Sequence, residues 1–117
     1  MKDSEIFSRV DHTILKADAT SKDIQRICRE ALQYKTASIC INPCHIEYAV
    51  QLLGGKVPVC TVIGFPLGAM TTAAKVAEAQ DAISKGAQEV DMVINIGRAK
   101  DGDFDFVEQE IRAVNRQ

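Results

Sequence analysis

Asp91 is the residue of this sequence whose surroundings most strongly suggest chemistry. It interrupts the apolar segment of residues 89–97, which reads EVDMVINIG. Burying a carboxylate among apolar side chains costs several kcal/mol unless the group is paired or protonated. A carboxylate in this position can accept hydrogen bonds from loop amides at the end of a strand, or it can hold and transfer a proton during a reaction.

Other polar side chains fall near the predicted ends of strands. In parallel sheets and in (β/α)8 barrels, functional residues gather at the carboxyl ends of the strands, because the loops that leave the strands meet there. We expect Asp11 to line a pocket at this edge, the alternative being a cap or an ion pair. The polar residues near predicted strand ends are Asp11, Thr13, Cys40, Asn42, Thr61, Asp91 and Asn95.

Lys16 and Lys75 lie near strand ends and are the candidates for a nucleophilic amine. A lysine becomes nucleophilic when desolvation or a neighbouring cation lowers its pKa, and neither sequence neighbourhood indicates such a setting. Lys75, in the first turns of a helix, is expected to meet solvent or a nearby carboxylate. His12 is expected to make a structural hydrogen bond, and His45 is expected to be exposed.

The four cysteines are Cys28, Cys40, Cys44 and Cys60. Their spacing matches no disulfide framework, and their apolar surroundings predict reduced and mostly buried thiols. Cys40, Cys44 and His45 form a C-x3-C-H pattern without a second pair of ligands, so no metal site is predicted there.

Apolar periodicity predicts that strands and helices alternate along the chain. Strands are predicted at residues 10–15, 36–42, 57–65 and 89–97, and helices at 3–9, 21–34, 43–53, 72–85 and from 104 onward. Thr20 or Ser21, Thr71 or Thr72, and Asp103 are the predicted helix caps. The segment GRAKDGD is predicted to be a loop.

Four of the helices carry a predicted apolar stripe that should face the core. In the helix at 43–53 the stripe is Ile46, Ala49, Val50 and Leu53. In the helix at 21–34 the stripe is Ile24, Ile27, Cys28, Ala31 and Leu32. In the helix at 72–85 it is Ala73, Val76, Ala77 and Ile83. In the last helix it is Phe104, Val107, Ile111 and Val114.

Strands that are apolar on both faces and alternate with helices predict one α/β domain over residues 1–117 with a parallel sheet. Two architectures fit this order: a small open sheet with helices on both faces, or four βα units of a (β/α)8 barrel. The sequence contains neither G-x-G-x-x-G after the first strand nor G-x-x-x-x-G-K-[ST], so nucleotide binding lacks its usual motifs.

The composition argues against several kinds of partner. The net charge is −2 and tryptophan is absent, which disfavours nucleic acid. No apolar run approaches the ~20 residues of a membrane span. The segment MKDSEIFSRVDH is too polar for a secretory signal, so a cytoplasmic location is expected.

The strand motifs resemble those of one enzyme family. VDHTILKADAT, ASICINP, TVIGFPLGAM and GAQEVDMVINIG occur in this order and together span most of the chain. They are similar to the first four strand signatures of the deoxyribose-phosphate aldolases. One departure is Ala17, where the family often has proline after the lysine.

The resemblance implies half of a (β/α)8 barrel, with the activity of a class I aldolase (a lyase) of deoxyribonucleotide catabolism. Such enzymes cleave 2-deoxy-D-ribose 5-phosphate reversibly into glyceraldehyde 3-phosphate and acetaldehyde, through a lysine Schiff base and without a metal or cofactor. By the same resemblance, Asp91 is the catalytic residue of this half and relays protons. The substrate cavity would be lined by Asp11, Thr13, Leu15, Cys40 and Phe65.

In that family the Schiff-base lysine lies on the sixth strand, its companion lysine on the seventh, and the phosphate-binding residues on the last two strands. These 117 residues end after the fourth βα unit, so we expect little aldolase activity from them alone. Unpaired strand edges and an uncovered sheet face predict a homo-oligomer, a dimer or higher, with segment exchange as one route. The alternative function is a catalytically silent, self-associating half-barrel.

Overall fold

The computed structural model describes residues 2–117, which form one parallel sheet and the helices that connect its strands. The elements are α1 Asp3–Phe7, β1 Asp11–Ile14, α2 Ser21–Tyr34, β2 Ser38–Ile41, a 3-10 turn Pro43–His45, α3 Ile46–Leu53, β3 Val59–Ile63, α4 Thr72–Ser84, β4 Glu89–Met92, α5 Ile96–Lys100 and α6 Phe104–Asn115. The predicted alternation of strands and helices is confirmed.

The four strands lie side by side in chain order, β1-β2-β3-β4, and every neighbouring pair is parallel. Thr13 is the register partner of Cys40, which is in turn the partner of Cys60. Val62 is the partner of Asp91. Because side chains alternate between the faces of a strand, these registers decide which residues of the four strands share a face.

The two faces of the sheet have different surroundings. Isoleucine and valine side chains on one face form a core with α2, α3, α4 and α6. The other face carries a separate small cluster made of strand residues and Leu15. Helices therefore cover one face only, as in a barrel segment, and not both faces as in an open doubly wound sheet. The helix-side core contains Ile14, Ile24, Ile27, Cys28, Ala31, Ile39, Ile41, Ile46, Ala49, Leu53, Val57, Val59, Ile63, Ala79, Ala82, Ala87 and Val114.

Side-chain caps fix the predicted starts of three helices. Thr20 and Asp23 form a capping box at α2, in which each side chain accepts a hydrogen bond from the other residue's backbone amide. Thr71 caps α4 and Asp103 caps α6, as predicted. The segment predicted to be a loop contains the short helix α5, capped by Asn95.

The buried face of α4 differs from the predicted apolar stripe. Ala73, Ala77 and Ile83 are exposed, and the residues that face the core include Lys75 and two alanines, Ala79 and Ala82. Lys75 is fully buried, so its predicted contact with solvent is wrong, whereas the predicted contact with a carboxylate is confirmed. The Glu110 carboxylate supplies the partner that the buried ammonium group needs on this face.

The predicted stripe of α6 is also only partly correct. Val114 is buried, but Phe104 and Ile111 are exposed, and the carboxylate of Glu110 takes a core position beside Lys75. The pattern of apolar residues could not identify this face, because an ion pair supplies its most buried contact. Among residues 2–117, no helix is both long enough and apolar enough to cross a lipid bilayer.

Candidate active site on the inner face of the sheet

We use the term inner face for the side of the sheet opposite the helices. Strand alternation and register place two side chains from each strand there. The inner face consists of Asp11, Thr13, Ser38, Cys40, Cys60, Val62, Glu89 and Asp91. The sequence predictions Asp11, Thr13, Cys40 and Asp91 thus share one surface, and Leu15 packs against it.

Cys40 and Cys60 on the two central strands and Asp91 on the edge strand β4 lie close together on this surface. The two sulfur atoms and a carboxylate oxygen of Asp91 all lie within 4.8 Å of one another. Cys40 and Cys60 are buried, with Leu15 and Val62 packed around them. Cys60 had been predicted only as a buried thiol. The signal that places it here is the register of two parallel strands, which the sequence does not encode locally.

The two neighbouring thiols shift each other's pKa in opposite directions. Hydrogen-bond donation from Cys60 lowers the pKa of Cys40, against the opposing effects of burial and of the carboxylates of Asp91, Asp11 and Glu89. The same bond, followed by burial, raises the pKa of Cys60 far above that of an ordinary thiol.

Asp91 itself is exposed, which corrects the expectation of a buried carboxylate. The segment that contains it forms a strand only as far as Met92, and its apolar residues are half-buried at best or exposed. The reason is that Asp91 points to the face on which no helix packs. Within residues 2–117 it has no ion-pair partner, so the carboxylate is available to a ligand or to water.

Asp11 lies at the start of β1 and not near its carboxyl end, which corrects that prediction. Its carboxylate accepts a hydrogen bond from the Ser38 hydroxyl, at 2.6 Å between oxygen atoms. The Thr13 hydroxyl donates to the backbone carbonyl of Asp11 at 2.7 Å. Both side chains therefore lie on the inner face but are turned toward internal partners.

The remaining predicted strand-end residues stabilise the backbone. Thr61 lies within β3 on the helix side, where its hydroxyl donates to the Ile41 carbonyl at 2.8 Å. Asn42 donates its side-chain amide to the Leu15 carbonyl at 3.2 Å and joins the ends of β1 and β2. Asn95 is the cap of α5. These contacts order the strand ends and bring no further reactive group to the inner face.

The loop after β3 carries Phe65, which is 40% exposed. The loop begins at Gly64, whose amide donates to the Glu78 carboxylate at 2.7 Å. Further along, Gly68 has a φ of +65° and lies so close to the loop after β4 that an added Cβ would be 2.1 Å from the Ile94 carbonyl oxygen. Glycine is therefore required where the two loops meet.

A buried network missed by the sequence supports both of these loops. The Lys75 ammonium group pairs with the Glu110 carboxylate and also donates to the Val93 carbonyl at 3.0 Å. The Thr72 hydroxyl donates to the second oxygen of Glu110 at 2.7 Å. Val93 follows Asp91 by two positions, so this network fixes the backbone just after the candidate catalytic residue.

The other candidate bases and nucleophiles lie apart from the inner face. Lys16 is exposed in the loop after β1. His12 points to the opposite face of β1 from Asp11; its Nε2 lies 3.3 Å from a Glu30 carboxylate oxygen. That nitrogen makes no hydrogen bond within residues 2–117, so the predicted structural hydrogen bond is not formed at Nε2. His45 is half-buried, not exposed.

Comparisons with known proteins agree on one relationship. The model of the DeoC/LacD family of aldolases matches residues 6–117. A deoxyribose-phosphate aldolase of Clostridium perfringens is 56% identical over 115 residues, which is 97% of this chain and 51% of that protein.

Two solved structures have the same fold. An aldolase named QR15 matches with a TM-score of 0.91 and 36% identity over 96% of this chain and 50% of its own. A tetrameric deoxyribose phosphate aldolase from Aeropyrum pernix matches with a TM-score of 0.75 and 29% identity, over 93% of this chain and 50% of its own. The chain thus spans about half the length of the relatives it matches, and its fold is a partial barrel.

Proposed function

Because this chain belongs to the DeoC/LacD family of aldolases, we propose that it supplies one half of a deoxyribose-phosphate aldolase site. The reaction is the reversible cleavage of 2-deoxy-D-ribose 5-phosphate into glyceraldehyde 3-phosphate and acetaldehyde. The observation that carries the proposal is the placement of Asp91. It is an unpaired, solvent-accessible carboxylate on the part of the inner face formed by the edge strand β4, beside a thiol pair and apolar side chains.

In the proposed mechanism Asp91 moves protons and another residue forms the covalent bond. A lysine amine, supplied by a βα unit outside these 117 residues, condenses with the substrate carbonyl and releases water. The protonated imine then accepts the electron pair of the breaking carbon–carbon bond. Asp91 donates and accepts the protons that imine formation and hydrolysis require, directly or through water. No metal or cofactor takes part in this sequence.

The proposed substrate contacts follow from the character of the inner face. Leu15 and Cys40 offer an apolar wall to the carbon chain of the sugar. Asp11 and Thr13 are the polar side chains that β1 contributes to the inner face, and Phe65 lies partly exposed in the loop after β3. Each is a proposed binding residue, with Asp91 the proposed catalytic one.

We further propose that these 117 residues alone are nearly inactive and that they self-associate. Exposed apolar side chains at the ends of β3 and β4, including Phe65, Leu67 and Ile96, favour association. The second candidate function, a catalytically silent half-barrel that pairs with a second copy, rests on this same observation. The cysteines are free thiols, consistent with the proposed cytoplasmic location.

The first test is retro-aldol turnover of the 117-residue chain with 2-deoxyribose 5-phosphate and borohydride, read by intact mass. We expect neither acetaldehyde nor a trapped adduct. An adduct would show that a lysine within this chain forms the imine. Light scattering on the same sample tests association, and a monodisperse monomer at micromolar concentration would contradict it.

The second test restores the missing units. A chimera carries residues 1–117 in place of the matching half of the Clostridium perfringens enzyme, and turnover is expected. Asp91→Asn in this chimera should lower kcat by about 100-fold or more, the usual contribution of a positioned acid–base group. Asp101→Asn, an exposed aspartate at the end of α5, is the matched control. Equal turnover of both variants would refute the role of Asp91.

A further inference from the structure

Lys75 and Glu110 form an ion pair whose effect on stability does not account for its place in the core. In the part of the chain that the structure describes, they are the only charged side chains that are buried. Desolvating two charges costs free energy, and apolar side chains of similar volume often stabilise a fold as well as a buried pair does. The other contacts of the Lys75 side chain indicate a second role.

The Lys75 ammonium group holds the chain just past the end of β4. It donates to the Val93 carbonyl at 3.0 Å, while the Val93 amide donates to the Ile63 carbonyl at 2.9 Å. The pairing of β3 with β4 in register ends one residue earlier, at Ile63 and Met92. Both backbone groups of Val93 are therefore fixed, two positions after Asp91.

The aliphatic stem of the same side chain supports the loop after β3. A Cβ added at Gly64 would be 3.1 Å from Cε and 3.4 Å from Cγ of Lys75, so the loop backbone packs closely against the stem. Gly64 precedes Phe65, a proposed substrate contact, and its carbonyl accepts a hydrogen bond from the Gly68 amide at 2.7 Å. One buried side chain therefore contacts both loops that border the candidate site.

Glu110 and Thr72 hold the ammonium group in place. One carboxylate oxygen of Glu110 pairs with Lys75, and the other accepts a hydrogen bond from the Thr72 hydroxyl at 2.7 Å. Moving any member of such a buried network leaves a polar group or a charge without its partner, which is costly in a medium of low dielectric constant. The network is therefore a rigid support for the backbone that it contacts.

We propose that Lys75 is a positioning residue for the aldol reaction: it fixes the backbone after β4 and so holds the Asp91 carboxylate where it exchanges protons with the imine. The inference rests on the proposed function of Asp91. Lys75 does not touch the substrate, because its helix packs on the face of the sheet opposite to the inner face. Proton transfer needs heavy atoms about 2.6–3.2 Å apart, and a misplacement of about 1 Å can lower the rate ~100-fold.

The test uses the chimera that joins residues 1–117 to the second half of the Clostridium perfringens enzyme. Its main variant is Lys75→Met/Glu110→Leu, which leaves no buried charge and fills the space with apolar side chains, but removes the donor to the Val93 carbonyl. We expect an unfolding midpoint close to that of the parent chimera. We also expect kcat to fall by at least about tenfold and KM to stay within about threefold, a split that a purely structural role would not produce.

Hydrogen–deuterium exchange follows the backbone without substrate. In the double variant, the peptide of residues 89–97 should exchange at least about threefold faster, whereas α2 should be unchanged. Thr72→Val is a milder variant for the case in which the double variant does not fold; it keeps both charges and removes only the hydroxyl that orients Glu110, and kcat should fall by about threefold. Lys85→Met, which breaks an exposed pair at the end of the same helix, is the control and should leave kcat, KM and exchange unchanged.

Three results would overturn the inference. The first is a folded double variant, or Thr72→Val in its place, that keeps the parent kcat while Asp91→Asn lowers it. The second is a loss of kcat that Lys85→Met reproduces. The third is unchanged exchange of residues 89–97 in the double variant. If Asp91→Asn itself leaves kcat unchanged, the proposed function is refuted and this inference falls with it, so the two failures are distinguishable.

Discussion

The buried pair of Lys75 and Glu110 gives the sharpest test of how this half-barrel is held together. Lys75→Met removes the ammonium group and leaves the Glu110 carboxylate in the core with only the Thr72 hydroxyl as a partner. The Val93 carbonyl also loses its donor. Removing one partner of a buried ion pair costs about 3–5 kcal/mol, because an uncompensated charge stays in a medium of low dielectric constant.

That cost is large for a chain of this size. Small domains unfold with a free energy of about 5–15 kcal/mol, so Lys75→Met should remove roughly a fifth of the total or more. With a urea m-value of about 2 kcal/mol per molar, the unfolding midpoint should fall by roughly 2 M. The measurement is urea unfolding followed by circular dichroism, at a fixed protein concentration because association would shift the midpoint.

A double variant separates charge from packing. In Lys75→Met/Glu110→Leu no buried charge is left, and apolar side chains of similar volume fill the space. Stability should return to within about 2 kcal/mol of the natural chain. Lys85→Met, which breaks an exposed pair with Asp81, is the matched control and should barely move the midpoint. A single variant as stable as the natural chain, or a double variant that shows the summed losses of the two single variants, would refute the reasoning.

Three further perturbations test other parts of the molecule. Gly68→Ala should lower Tm far more than Gly102→Ala. Both glycines have a positive φ, but only a Cβ added at position 68 would collide with the carbonyl group of a neighbouring loop. Equal shifts in Tm for the two variants, measured by calorimetry, would contradict this contact. Burial raises the pKa of Cys28 to about 11, so at pH 8 only about one Cys28 thiol in a thousand is ionised. Iodoacetamide should therefore label the exposed Cys44 first and should label Cys28 only in denaturant. Early labelling of Cys28 would argue against its burial. Hydrogen bonds in the capping box lower the pKa of Asp23 from 3.8, so its carboxylate stabilises the fold above that pH and loses this effect as the pH falls through the folded-state pKa. Asp23→Asn should therefore be less stable than the natural chain at pH 7, and this difference in stability should vanish in acid. A difference that does not depend on pH would rule out the carboxylate as its source.

Features that depend on nearby residues were predictable from the sequence. The cap at the start of α2 and its apolar stripe involve residues within a few positions of each other, and both were predicted, the cap as Thr20 or Ser21. The reciprocal bond from Asp23 that completes the capping box was not predicted. The order of strands and helices follows from the same local patterns. The fold class was therefore predictable, because each βα unit carries its own periodicity and its own start and stop signals.

Features that depend on distant residues were not predictable in this way. Lys75 and Glu110 are 35 positions apart, and a periodicity of apolar residues treats both as surface side chains. Their pairing decides which faces of α4 and α6 are buried, so both predicted stripes were partly wrong. Asp91 was expected to be buried because its neighbours are apolar, whereas the covering of a strand face is set by the rest of the fold.

The candidate site shows the same division. Asp11, Thr13, Cys40 and Asp91 were singled out by residue type, and strand register brings them to one face. Their roles in binding and catalysis remain proposals. To predict that the thiols of Cys60 and Cys40 meet, one must know the register of β2 and β3, in which Cys60 is the partner of Cys40. A shift of β3 by one residue would turn the Cys60 thiol to the helix side of the sheet.

The sheet order has a consequence for how the chain acquires its structure during synthesis. Each strand pairs with the strand made immediately before it, and no strand is inserted between two earlier ones. Each crossover spans only one helical unit, so the loop to be closed is shorter than in a pairing between strands far apart in the chain. A ribosome that makes the chain from the amino end can therefore add one βα unit at a time to an existing strand edge. Of these four strands β4 is the last to be added, and it is the strand that carries Asp91.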